Sequence, residues 1–215
     1  MKKISDPTIS RLSTYYRTLS RLIEQKIETV SSEKIAQINN ITSAQVRKDL
    51  SFFGAFGKRG LGYNTVALKK EIGSILGIDK KWNIALVGAG NIGRALIDYT
   101  EFKKQGFFIK AIFDNDLNKV GKKVGAYVIH HIDDVCYIAN KENLEIAVIA
   151  VPAQKAQQVV EDLVKCGVRA FLNFAPITIK VPEGIIVKNE NMSIELEALS
   201  YHLSKDKKRD DNASL

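Results

Sequence analysis

Two periodicities divide this chain of 215 residues. In its first third, apolar side chains recur every three or four positions, the period of a helix with one buried face. After Pro7, such a stripe is formed by Ile9, Leu12, Tyr16, Leu19 and Ile23, with Arg11, Arg17 and Arg21 largely outside it as solvated charges. Ser31-Ser32 offers a cap for a short helix over 33–38, which Asn39-Asn40 breaks. Thr42 and Gln45 then have the spacing of a capping box. The helix they open turns Val46, Leu50 and Phe53 inward and Ser43, Gln45, Arg47 and Lys48 outward. Asn64 caps a further helix over 65–76, ended by Gly77.

Beyond residue 81 the pattern changes to short, nearly continuous apolar runs separated by helix-like stretches. Runs at 84–87, 107–113, 124–129, 144–151 and 168–172 read as strands, with two short ones near 177–181 and 185–188. Residues 94–99, 133–139 and 153–166 read as helices. This alternation predicts an α/β fold with a mostly parallel sheet buried on both faces. Met192, Leu196, Leu199 and Leu203 stripe a last helix, whose apolar face is buried within its own chain or against a partner subunit. Residues 205–215 form a charged tail expected to be disordered.

Gly88-Ala89-Gly90-Asn91-Ile92-Gly93 joins the first run to the first helix of the α/β part. Strand, glycine turn and helix are the context of a dinucleotide fingerprint. The first glycine permits the tight turn, the second lets backbone approach a pyrophosphate, and the third lets helix and strand pack closely. N–H groups at the helix start then face the phosphates. The next run ends in Asp114, 21 residues beyond Gly93. That offset suits a carboxylate that binds the ribose of NADH or NAD+. Coenzyme A or S-adenosylmethionine on the same turn is the alternative, and Asp114 disfavours it.

The formal net charge of +8 is unevenly spread: residues 1–81 hold 15 Lys or Arg against 7 Asp or Glu, and residues 82–215 hold 17 against 17. The whole excess precedes the nucleotide fold, which points to a polyanionic partner. Two short helices joined by a tight polar turn form a helix-turn-helix with the second as recognition helix. Gly57-Lys58-Arg59-Gly60-Leu61-Gly62-Tyr63 suits a basic hairpin tip, the wing of a winged helix. Such a tip places Arg59 in a narrow minor groove. The organisation expected is a winged helix-turn-helix domain over 1–78, a Rossmann domain over 79–190, a C-terminal helix over 191–204 and the tail.

No apolar run approaches ~18 residues and the N-terminus lacks a signal peptide's apolar stretch, so no membrane partner and a cytoplasmic location are expected. Cys136 and Cys166 form no C-x-x-C pair and read as buried reduced thiols. His130-His131 follows a strand and reads as exposed, no metal-ligand spacing occurs, and no histidine joins an acid in a triad-like arrangement. A dehydrogenase of this fold normally adds a substrate domain with an acid or base. With no catalytic residue in view, the cofactor reads as sensed rather than consumed. An NAD-dependent oxidoreductase with an incidental basic N-terminus is the alternative.

Tyr15-Tyr16-Arg17, Val46-Arg47-Lys48-Asp49-Leu50-Ser51-Phe52-Phe53-Gly54, the 57–63 segment, the glycine turn and Asn173-Phe174-Ala175-Pro176 together resemble the Rex family over roughly residues 4–204. These are bacterial repressors that sense the NADH/NAD+ balance. The resemblance implies a homodimer with exchanged C-terminal helices and a palindromic double-stranded operator ahead of fermentation or respiration genes. It implies cofactor contacts at Gly88, Gly90, Gly93 and Asp114, with Tyr99 and Asn173, Phe174, Ala175 and Pro176 near the nicotinamide. DNA contacts carry over to the helix with Arg47 and Lys48 and to Arg59. One departure is Asn191, where the family has an acid pairing with the position of Arg17; Glu190 and Glu195 are the nearby carboxylates.

Overall fold

The computed structural model describes residues 4–57 and 61–213, with side chains as far as Lys205. The chain divides into two compact units, Met1–Lys81 and Trp82–Leu215.

The first unit contains α1 (Asp6–Glu24), β1 (Thr29–Val30), α2 (Ser32–Ile38), α3 (Ser43–Ser51), β2 (Tyr63–Asn64) and α4 (Thr65–Leu76). Local signals start its helices: the side chains of Ser5, Ser31, Thr42 and Asn64 each accept a bond from the N–H three residues on. The buried face of α1 is turned from the expected one. Leu12 and Leu19 are buried, but Tyr15 and Leu22 join them while Ile9, Tyr16 and Ile23 are only half-buried. Tyr15 goes inward because its hydroxyl has a buried acceptor, Asp49, a partner that apolar periodicity cannot show. These residues pack with Ile35, Val46, Leu50, Leu68 and Ile72.

The capping box is half formed: Thr42 caps α3, but the Gln45 side chain donates to Asp49 at 2.7 Å. β2 pairs antiparallel with β1, Val30 opposite Tyr63. Residues 54–57 form no strand, so no local hairpin closes the basic loop within the described residues.

The second unit contains β3 (Trp82–Val87), α5 (Asn91–Ile97), α6 (Glu101–Lys104), β4 (Phe107–Asp114), β5 (Lys123–Val124) and β6 (Tyr127–His131). A 3₁₀ turn (Ile132–Asp134), α7 (Val135–Glu142), β7 (Ile146–Ile149), α8 (Ala153–Lys165), β8 (Ala170–Asn173), β9 (Ile186–Asn189) and α9 (Met192–Ala213) follow. The sheet order is β5-β6-β4-β3-β7-β8-β9, antiparallel only between β5 and β6. From the central β3 the chain runs outward to β6, then crosses back to β7 and outward the other way, the doubly wound topology. Alternate residues of β3 feed opposite layers. Ala85 and Val87 join the α7 and α8 side, and Ile84 and Leu86 the other.

Several details differ from the sequence reading. α5 ends at Ile97, leaving Tyr99 beyond it. Residues 124–129 are not one strand, because the chain turns at Gly125 between β5 and β6. Residues 177–181 are irregular: the Gln157 amide donates to the Lys180 carbonyl and accepts from its N–H, both at 2.9 Å, in place of a strand partner. His130 and His131 are half-buried rather than exposed, His130 lying beside the Phe113 ring. Cys136 and Cys166 are joined as a disulfide rather than reduced, since α7 and the end of α8 bring their Cα atoms to 4.8 Å.

α9 continues to Ala213 instead of giving way to a disordered tail at 205, with no glycine or proline to stop it. Its apolar residues Met192, Ile194, Leu196, Leu199, Tyr201 and Leu203 stand 56–69 % exposed. Among the described residues, no helix is long and apolar enough to cross a membrane, and no three His, Cys, Asp or Glu group as metal ligands.

Candidate dinucleotide site and nucleic-acid interface

A cavity of about 790 Å³ opens at the carboxyl ends of β3, β4 and β7. This is the switch point of the sheet, where open α/β folds hold ligands. Gly88, Gly90, Asn91 and Ile92 line one side and Ala150, Val151 and Pro152 another. Gly88 has φ +100°, and a Cβ there would overlap the Ala150 carbonyl. A Cβ on Gly93 would overlap the Gly88 carbonyl. Both glycines are therefore demanded by backbone packing. Gly90 begins α5 with no side-chain cap, which leaves the helix start suited to an anion.

Asp114 lines the same cavity and is 7 % exposed. Its Oδ2 accepts the buried Ala89 N–H at 2.9 Å and the Lys119 ammonium at 3.0 Å; its Oδ1 accepts the Asp116 N–H at 3.0 Å. Burial pushes this carboxyl up, but the Asp116 N–H, Lys119 and the Ala89 N–H outweigh it and hold it below the usual carboxylate range. An ionised carboxylate still has lone pairs for ribose hydroxyls. Asp116 also faces the cavity, so two carboxylates stand against one ammonium there.

Sequence reasoning missed Lys119, Asp116 and the face of α8 carrying Lys155, Gln158, Val159 and Asp162. Asp116, two residues past Asp114, had its position as a signal, whereas Lys119 and the α8 face had none. Tyr99, Asn173, Phe174, Ala175 and Pro176 do not line this cavity. Tyr99 is half exposed with its ring edge-on to Phe102. Asn173 is fully buried at the end of β8: it donates to the Ala175 and Ile177 carbonyls and to Asn189, and accepts the Ala175 N–H. It fixes the path of the 174–177 turn. Asn191 caps α9 by accepting the Ser193 N–H at 3.0 Å.

In the first unit, α3 presents Arg47 and Lys48 to solvent, with Ser43 and Gln45 half-buried. Lys58 and Arg59 lie outside the described residues. The Arg47 guanidinium reaches back to α2, donating to Ser32 at 3.0 Å and Glu33 at 3.1 Å. Beneath α3, Asp49 is wholly buried and accepts Arg11 Nε and Nη2 at 2.6 and 2.7 Å, the Tyr15 hydroxyl at 2.8 Å and Gln45. Arg11 is thus a clamp on α3, not a free surface charge. Burial opposes the charge on Asp49, but these donors hold its carboxyl below the usual range.

The family model "Putative DNA-binding protein N-terminus" matches residues 3–51, and the model "CoA binding domain" matches residues 79–177. The redox-sensing transcriptional repressor Rex of Carboxydothermus hydrogenoformans is 48 % identical over 204 residues, covering 95 % of this chain and 98 % of that protein. This chain belongs to the Rex family of redox-sensing transcriptional repressors. The Rex of Clostridioides difficile is 41 % identical, covering 96 % of this chain and 98 % of its own length. Among solved structures, the Rex-family repressor RSP in complex with β-NAD+ and operator DNA matches with a TM-score of 0.92 at 34 % identity, over 98 % of this chain and 97 % of that one. RSP with β-NADH matches at 0.88 and 32 %, over 98 % and 99 %. The Rex family thus supplies relatives solved with both redox forms of the cofactor.

Proposed function

We propose that this chain, as a homodimer, holds a palindromic operator when NADH is scarce and leaves it when NADH fills the cavity at the ends of β3, β4 and β7. The observation that carries the reading is that cavity: a turn whose Gly88 and Gly93 admit no Cβ, an uncapped helix start and an ionised Asp114 meet at the switch point. The complexes of RSP with β-NADH, and with β-NAD+ and operator DNA, support it. Gly88 to Gly93 cradle the pyrophosphate and Asp114 takes the adenosine ribose. On the DNA side, Ser43, Arg47 and Lys48 face the major groove, with the expected Gln45 instead held by Asp49, while Lys58 and Arg59 reach the backbone and minor groove. The protein is a cytoplasmic regulator, and the cofactor leaves unchanged.

NADH shifts the equilibrium only by binding the DNA-incompetent arrangement more tightly than the competent one. The two redox forms differ at the nicotinamide, planar and cationic in NAD+ and neutral in NADH, so the sensing contacts belong to Tyr99, residues 173–176 and the start of α9. The uncovered apolar face of α9 is assigned to the partner subunit. The second family model's description favours one other reading, coenzyme A in the same cavity, although carboxylates at the ribose would repel its 3′-phosphate. The test is an operator titration with saturating NADH, NAD+, coenzyme A or no ligand. NADH lowers operator affinity and NAD+ does so much less. Identical affinity in all four arms refutes the sensor reading.

A further inference from the structure

The cavity and the disulfide share two walls. Ile132, in the 3₁₀ turn that leads into α7, lines the cavity one helical turn before Cys136. Asp162, on α8, lines it one turn before Cys166. The covalent link therefore ties together two elements that line the cavity, one of which starts beside Asp114, since His131 is the register partner of Asp114. Thirty residues separate the cysteines, and their Cα atoms are 4.8 Å apart, within the span a disulfide needs. Their surroundings are unequal: Cys136 is exposed and Cys166 is 8 % exposed.

We infer that Cys136 and Cys166 are a thiol-oxidation site that sets how tightly the cavity holds dinucleotide, separately from the choice between NADH and NAD+. This rests on reading the cavity as the dinucleotide site. The oxidant is a peroxide. The exposed Cys136 thiolate attacks one peroxide oxygen, forming the sulfenic acid and releasing water. The Cys166 thiol then attacks that sulfur, forming the S–S bond and expelling a second water, so two thiols lose two electrons and one hydrogen peroxide becomes two waters. A small dithiol reverses the step by attacking Cys136, with Cys166 leaving as the thiolate.

The oxidised protein has both walls fixed before ligand arrives, so binding orders less of the protein. The element carrying Cys136 starts beside Asp114, the residue proposed to take the adenosine ribose that both redox forms share, so both affinities move by one factor.

The experiment uses the full chain, reduced with a phosphine or oxidised with hydrogen peroxide. Free thiols are counted after denaturation, and NADH and NAD+ are titrated against each form. Cys136→Ser serves as the unresponsive control, and Cys166→Ala confirms it. The expected result is two free thiols falling to none, with NADH and NAD+ each bound about threefold to tenfold more tightly by the oxidised form. Cys136→Ser should keep the reduced value under both treatments. A disulfide that forms without changing either affinity overturns the inference, as does peroxide producing sulfinic acids in its place. A change confined to one redox form also overturns it. Failure of both forms to bind either dinucleotide overturns instead the reading of the cavity on which it rests.

Discussion

Replacing Asp49 tests the clamp beneath the recognition helix. Its carboxylate is fully buried and accepts four bonds, two from Arg11 and one each from Tyr15 and Gln45. Asp49→Ala strands the buried Tyr15 hydroxyl, a loss of about 1–3 kcal/mol. It also removes the partner of Arg11; breaking a buried pair costs about 3–5 kcal/mol. The Arg11 side chain is 28 % exposed and turns out to water, so the lower end applies. The two losses belong to one network and do not add, which leaves about 3 kcal/mol.

Asp49→Asn keeps the shape and should cost less, about 2 kcal/mol. Donors hold the folded carboxyl below its unfolded value, so its ionic stabilisation is complete above the unfolded value near 3.9 and is lost as pH falls through the folded one. The gap between wild type and Asp49→Asn is therefore constant at neutral pH and narrows below about pH 4. Urea unfolding of the full chain followed by far-ultraviolet dichroism measures the loss. Trp82, the one tryptophan, lies in β3 and reports the other unit as an internal control. If Asp49→Ala shifts the dichroism transition by less than about 0.5 kcal/mol, a value typical of surface changes, the clamp has been misread.

Gly93→Ala forces a Cβ into the Gly88 carbonyl; it should destabilise the second unit by about 2–3 kcal/mol and abolish NADH binding, both checked by thermal melts with and without NADH. Asp114→Ala should weaken NADH and narrow its advantage over NADPH, because the carboxylate that repels a 2′-phosphate is gone; equal affinity of the unmodified protein for both would sink that role. Arg47→Ala should cost operator about 1–3 kcal/mol and relax selectivity at one base position, read from gel shifts against a set of singly substituted sites. Deleting residues 191–215 should abolish the difference between NADH and NAD+ in operator titrations and leave a monomer on a sizing column.

Much of this was legible because local physics carried it. The caps at Ser31, Thr42 and Asn64 and the glycine turn each act within a few residues. What stayed hidden depends on partners distant in sequence. Asp49 draws Arg11 and Tyr15 from more than thirty residues away and so turns the face of α1. Gln157 satisfies Lys180 and removes a strand that apolar content had predicted. Cys136 and Cys166 meet only once α7 and α8 share a layer. Lys119 was within reach, five residues past Asp114, but a lone lysine in a turn carries no signal until its ammonium is seen on the carboxylate.

Arg47 does not wait in open solvent; it has a resting place on Glu33 and Ser32. For a side chain proposed to read a base, that makes recognition an exchange. On that proposal, Arg47 would give up Glu33 for guanine at the right sequence and fold back at a wrong one, so that no bare guanidinium faces a mismatched edge. The exposed pair trims discrimination by about 0–1 kcal/mol. In return the helix can sit in any major groove and move on, which smooths the path of a repressor scanning long stretches of irrelevant DNA.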